Sequence, residues 1–146
     1  MAEQDLRLKR FIAYFIDGVI GWTLTYLIPW VGPLVGFAYF ILRDGLPFLN
    51  YNSLGKKLMG LNVSYTNGRP TDMIASIKRN WFLALSFLPY LLTSIGILES
   101  IAGFASFAGF VLVIIEGFLV ATKKTRLGDR QANTMVIPAS AVTSKR

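Results

Sequence analysis

The sequence predicts an all-α fold, a four-span transmembrane helical bundle with an amphipathic cytoplasmic loop between spans two and three. Three observations carry this prediction. Hydrophobic types make up 53% of the 146 residues, too many to hide in one soluble core. Those residues are gathered into long runs. All 15 Lys and Arg fall before the first run, between the second and third, or after the fourth, while the turns near residues 29–33 and 99–101 carry none. By the positive-inside rule, both termini then lie in the cytoplasm of a bacterial-type inner membrane. The same partition accounts for the net charge of +7 without a nucleic-acid partner.

Residues 1–9 are polar and lead into the first span, about 10–28. Its length, and the lack of a small-residue cleavage site, predict a retained helix and not a removable leader. Pro29-Trp30-Val31-Gly32-Pro33 reads as a tight turn, with Trp30 suited to the membrane interface. A second span, about 30–44, is short for ~30 Å of hydrocarbon. In the long connection that follows, Leu54, Leu58 and Leu61 recur at helical intervals beside Lys56 and Lys57, an amphipathic turn suited to the headgroup layer. Residues 62–66 read as a short extended piece closed by an Asn67-Gly68 turn. Thr71 or Asp72 caps the helix that feeds the third span, about 81–98, where Trp81 is a second interfacial anchor and Pro89 predicts a kink. The fourth span, about 101–122, contains Gly103, Ala105, Ser106, Gly109 and Gly117, which permit close helix approach. Met135–Ile137 reads as extended, and residues 138–146 as a disordered basic tail after a single domain at 1–137.

Two acids stand inside apolar runs. Arg10, Ala13, Asp17 and Gly21 fall on one helical stripe, because seven residues return to within ~20° of the starting direction. An ionisable group in hydrocarbon costs ~2.5–3.5 kcal/mol on insertion scales, so the stripe is predicted to face inward. Asp17 lies seven residues from Arg10, and Glu116 seven residues from Lys123, so both sit ~10 Å from a basic helix end. If spans one and four are neighbours, the two carboxylates can share a proton or a monovalent cation. The plainer reading pairs each acid with a nearby base or hydrogen-bond donor and gives it a packing role.

The chain has no cysteine and no histidine, which removes thiolate chemistry, the usual zinc sites and imidazole catalysis. No nucleophile–base constellation is visible. The reading is therefore no enzyme, no cofactor, no metal site and no catalytic residue.

From Arg10 to about Ile137 the chain resembles the RDD family of small membrane proteins, named for one arginine and two aspartates. Arg10 matches the family arginine and Asp17 the aspartate in the first helix. NSLGKKLMGLNVSYTNGRPT resembles the family's Ser/Thr-Leu-Gly-Lys segment with its following Gly-Leu-x-Val stretch. Arg79 matches an arginine before the third span, and Asp129 in RLGDRQANTMVI the second aspartate. Gly128 stands where a histidine is common, and Asn133 where glycine is frequent. The resemblance implies a transport role, with cation/proton exchange suggested for some members and partnership in larger assemblies for others.

Two functions follow as expectations. One is a transporter of monovalent cations, coupled to protons through Asp17 and Glu116 and working as a homo-oligomer, with Arg10, Asp129 and Arg79 forming a cytoplasmic charge network. The alternative is a non-transporting membrane scaffold that binds a partner or anionic lipid through its basic loop.

Overall fold

The computed structural model describes residues 3–94, 99–122 and 125–143. Helix α1, Glu3–Leu27, covers the first predicted span and its polar approach. Arg10, Ala13, Asp17, Gly21 and Thr25 are all buried on it, a single stripe at three- and four-residue intervals. Outside the stripe, Phe11, Phe15, Val19 and Trp22 are exposed.

A turn with Trp30 in the left-handed region (φ 68°) leads to α2, Gly32–Leu42, which opens with Pro33 inside its first turn. The two helices pack through small residues. A side chain at Gly32 or Gly36 would run into Thr25, and one at Gly21 into the Phe40 ring.

After a 3₁₀ turn at Pro47–Leu49 comes α3, Leu54–Leu58, capped by the Ser53 hydroxyl accepting from the Lys56 amide. Strand β1, Leu61–Tyr65, follows. Helix α4, Met73–Ala84, starts where Asp72 accepts from the Ala75 amide at 2.7 Å. It buries Ser76, Arg79, Asn80 and Leu83 along one face. The helix is interrupted by a 3₁₀ turn at Leu85–Phe87 before α5, Leu88–Ser94. Pro89 explains the break, since it has no N–H to give the carbonyl of Leu85 and its ring crowds that oxygen.

Helix α6, Glu99–Thr122, contains Gly103–Thr122, the one stretch among the described residues long and apolar enough to cross a membrane. Phe104, Phe107, Phe110, Ile114 and Phe118 form its exposed face. Tyr14 ties α1 to it by donating to the Val113 carbonyl. Helix α7, Leu127–Gln131, strand β2, Thr134–Pro138, and α8, Ser140–Thr143, complete the chain.

The protein is thus mainly helical, but the all-α class needs correcting. β1 and β2 pair antiparallel with Val63 opposite Val136, joining two stretches that read as extended but about seventy residues apart. The four-span bundle is not confirmed: among the described residues only Gly103–Thr122 is both long and apolar enough to cross a membrane, α1 having the length but not the apolarity. α2 has 11 residues, about 16 Å at 1.5 Å per residue, and the third segment is broken at Leu85–Phe87. Residues 95–98, the predicted end of span three, lie outside the described residues, as do Lys123, Lys124 and 144–146. The predicted tail contains α8 in its described part.

Two apolar clusters hold these elements. Ala13, Leu61 and Val136 join α1 to the sheet, and Phe40, Leu83 and Phe87 join α2 to the broken third segment.

Candidate functional site

Where these elements converge, nine ionisable side chains are buried among the described residues: Arg10, Asp17, Arg43, Asp44, Lys56, Arg79, Glu116, Arg126 and Asp129. Desolvating so many charges is expensive, and only mutual pairing with further hydrogen bonds offsets the cost.

Asp17 is enclosed by protein groups. Its Oδ1 accepts from the Gly55 amide at 2.8 Å and from the Tyr39 hydroxyl at 3.1 Å, while Oδ2 lies 3.4 Å from Arg43 Nη1. Gly55 approaches α1 so closely that a Cβ there would sit 2.2 Å from the Ala13 carbonyl oxygen. A glycine is needed to bring that amide onto the carboxylate.

Asp129 gathers three arginines from three elements. Arg10 Nη2 donates to Oδ2 at 3.3 Å, and the Arg126 amide donates to the same oxygen at 3.2 Å. Arg79 Nη2 and Arg126 Nε lie 2.7 and 3.5 Å from Oδ1 as ion-pair contacts. Burial alone would raise this carboxyl, but Arg79, then Arg126 and Arg10, hold it below the usual carboxylate value. α7 presses its first turn against α4, and a Cβ at Gly128 would meet the Arg79 carbonyl oxygen at 2.0 Å. Asn133, with φ 52°, makes the left-handed turn from α7 into β2, a conformation that glycine or asparagine adopts most readily.

Asp44 links the two carboxylate centres. It pairs with Lys56, lies 3.7 Å from Arg79 Nε, and accepts from the Asn80 side chain at 3.3 Å and the Ser53 amide at 3.2 Å. Asn80 also accepts from Arg43. Burial draws the Lys56 ammonium down to about 8, against the pull of Asp44 and with the push of Arg43.

The predicted residues therefore separate. Arg10, Arg79 and Asp129 meet directly. Asp17 and Glu116 each turn to a different guanidinium, Arg43 for the first and Arg126, 3.9 Å away, for the second. Neither Glu116 oxygen receives a well-formed hydrogen bond. Lys56 requires correction: it is buried on Asp44 and does not lie in a headgroup layer, because the Ser53 cap turns it inward. Lys57 is exposed, as are Trp30 and Trp81, the last donating to Gln131. Sequence reasoning missed Arg43, Asp44 and Arg126 because charges at the ends of apolar runs read as interfacial. The signal was the pair Arg43-Asp44 directly after α2, with Ser76, Arg79 and Asn80 at helical spacing opposite.

One helix long and apolar enough to cross a membrane, with most of its surface unburied, points to a helical membrane protein. The RDD family model matches residues 29–133, and the chain belongs to the RDD family. Asp44, Lys56, Arg79 and Asp129 lie within that match, and Arg10 and Asp17 precede it. No curated protein and no solved structure matches the chain.

Proposed function

We propose that this chain is a non-transporting membrane module, in which the buried charge network fastens the helices to a small cytoplasmic unit made of α3, the sheet and α7, and that unit engages a protein partner. The observation that carries this reading is the coordination of Asp17. A carboxylate that serves a cation must have oxygens open to it, and here Oδ1 already accepts from an amide and a phenol while Oδ2, which accepts no hydrogen bond, faces the positive charge of Arg43 at 3.4 Å. Three further cations, Arg10, Lys56 and Arg126, line the same small cavity and repel any metal ion that approaches. The partner surface is a cleft of about 540 Å³ over the β1–β2 sheet, lined by uncharged residues, with Asn50, Asn62 and Asn67 beside apolar Met135 and Ile137. Its size lies in the range of ordinary ligand clefts. Tyr51 and Asn50, with φ of 57° and 54°, hold its rim in a backbone conformation that the fold must impose.

Cation/proton exchange is the second reading, and Glu116 is the observation in its favour: it is a buried carboxylate on the apolar crossing helix, and its ion pair with Arg126 is long, at 3.9 Å. Reconstitution of the full chain in liposomes separates the two. The module reading expects no sodium-dependent pH change across the vesicle wall, together with one specific protein copurifying from native membranes and lost on Asn62→Arg. Sodium-dependent proton movement that disappears in Glu116→Gln supports exchange instead.

A further inference from the structure

Beside Leu61 and Val136 of the first apolar cluster lies a cavity of about 20 Å³, where Asp17, Arg43 and Arg126 converge on Tyr14. Its lining residues are buried, apart from half-buried Tyr14. Tyr14 also borders a groove of about 510 Å³ along the exposed side of α1, lined by Phe11, Phe15, Val19 and Trp22 among others. Its ring is therefore the wall between a polar compartment and an apolar one.

The polar compartment holds both kinds of unmet hydrogen-bonding group. Arg43 Nε and Nη1 and Arg126 Nη2 are buried donors without a hydrogen bond to protein, and Asp17 Oδ2, 3.4 Å from Arg43 Nη1, is a buried acceptor in the same condition. Leaving such groups unmatched loses more than a formed bond returns. Tyr14 adds a second acceptor, because its hydroxyl hydrogen goes to the Val113 carbonyl at 3.1 Å and its oxygen keeps lone pairs. Guanidinium donors on one side and two acceptors on the other, around space for one water-sized occupant, match a molecule that both gives and takes hydrogen bonds. Ions match less well. A cation meets the charges of Arg43, Lys56 and Arg126, and an anion meets the Asp17 carboxylate.

We infer that this cavity is a specific site for a single water molecule, which donates to Asp17 Oδ2 and the Tyr14 oxygen and accepts from Arg43 and Arg126. Arg126 in turn faces Asp129 at 3.5 Å and Glu116 at 3.9 Å, so the water joins the Asp17 centre to the second carboxylate centre. It ties α1 and α2 to α6 and the start of α7, independently of whether the protein engages a partner or moves ions.

The test uses the full chain in detergent, with methyl groups labelled for NMR. Leu61, Val120 and Val136 line the cavity and are buried, so their methyls are shielded from bulk solvent. The expected result is a water-to-methyl cross-relaxation peak at all three. Val136→Ile adds one methylene toward the cavity and should abolish the peaks at Leu61 and Val120, while every exchangeable hydrogen around them is retained. Val120→Ile, read at Leu61 and Val136, serves the same purpose if the first variant does not fold. Wild-type methyls without such peaks would overturn the inference in favour of a dry cavity. Peaks of undiminished intensity in the filled variant would overturn it as magnetisation relayed from neighbouring N–H and O–H groups.

Discussion

Arg10 and Asp129, 119 positions apart, meet at 3.3 Å with both side chains buried, so the start of the first helix is bonded to the turn that follows the last long one. Removing one member leaves a charge stranded in a dry interior, which costs about 3–5 kcal/mol. Asp129→Asn removes the one negative charge that three arginines share and is expected to lie at the upper end of that range, with Arg10→Gln below it because Arg79 and Arg126 still hold the carboxylate. Denaturant unfolding in mixed micelles measures both, and equal losses would show that Arg10 alone carries the interaction.

At the other centre, Tyr39→Phe removes one of the two hydrogen bonds to Asp17 Oδ1 and leaves Arg43 and Gly55 in place. A hydrogen bond to a charged group is worth about 1.5–3 kcal/mol, and a loss of that size in the same unfolding experiment is the expected outcome. A change within experimental error would mean that the phenol is a bystander.

Two glycines on facing segments should respond in opposite directions. Gly55→Ala places a methyl 2.2 Å from the Ala13 carbonyl oxygen and 2.9 Å from Asp17 Oδ1, so α3 must retreat and the carboxylate loses its amide. A loss of about 1–3 kcal/mol follows from overpacking alone. Gly18→Ala, one residue beyond Asp17 on α1, meets nothing within 4 Å and gains helix propensity, so stability rises by up to about 1 kcal/mol.

Lys56 sets an alkaline signature. Its folded value of about 8 lies below its ordinary 10.5. In that window the unfolded chain holds a proton that the folded chain has released. Stability contributed by this group therefore rises with pH from about 8 to 10.5, and the rise is absent in Lys56→Met. Asp129 acts at the acid end: its carboxyl is held below the usual value, so its stabilisation is complete above about pH 4 and is lost as pH falls through the folded value. Unfolding midpoints across the two ranges, wild type against variant, check both signs.

Much of the fold was legible because it follows from periodicity and local chemistry. The stripe from Arg10 to Gly21 on α1, the Asp72 cap of α4 and the break around Pro89 each depend on residues within a turn or two of one another. The β1–β2 sheet was not, since two extended pieces do not name their partner across about seventy residues. The charge network fails to show for a related reason. Hydropathy reports that Arg43, Asp44 and Lys56 interrupt apolar sequence, but not whether they face water or one another. What turns Lys56 inward is a serine cap three residues earlier and a glycine that lets α3 touch α1. The second span fell short for a different reason: Gly32 and Gly36 dock α2 tightly on Thr25, and the helix ends at Leu42 where Arg43 and Asp44 enter the network.

The account turns on Asp17 being held by the protein itself, and proton flux in reconstituted liposomes under a sodium gradient tests that most directly. With Tyr39 and Gly55 bonded to Oδ1 and the Arg43 charge facing Oδ2, vesicles containing the wild-type chain should change internal pH no faster than protein-free vesicles. A saturable, sodium-dependent pH change in the wild type that is abolished by Asp17→Asn would contradict the account.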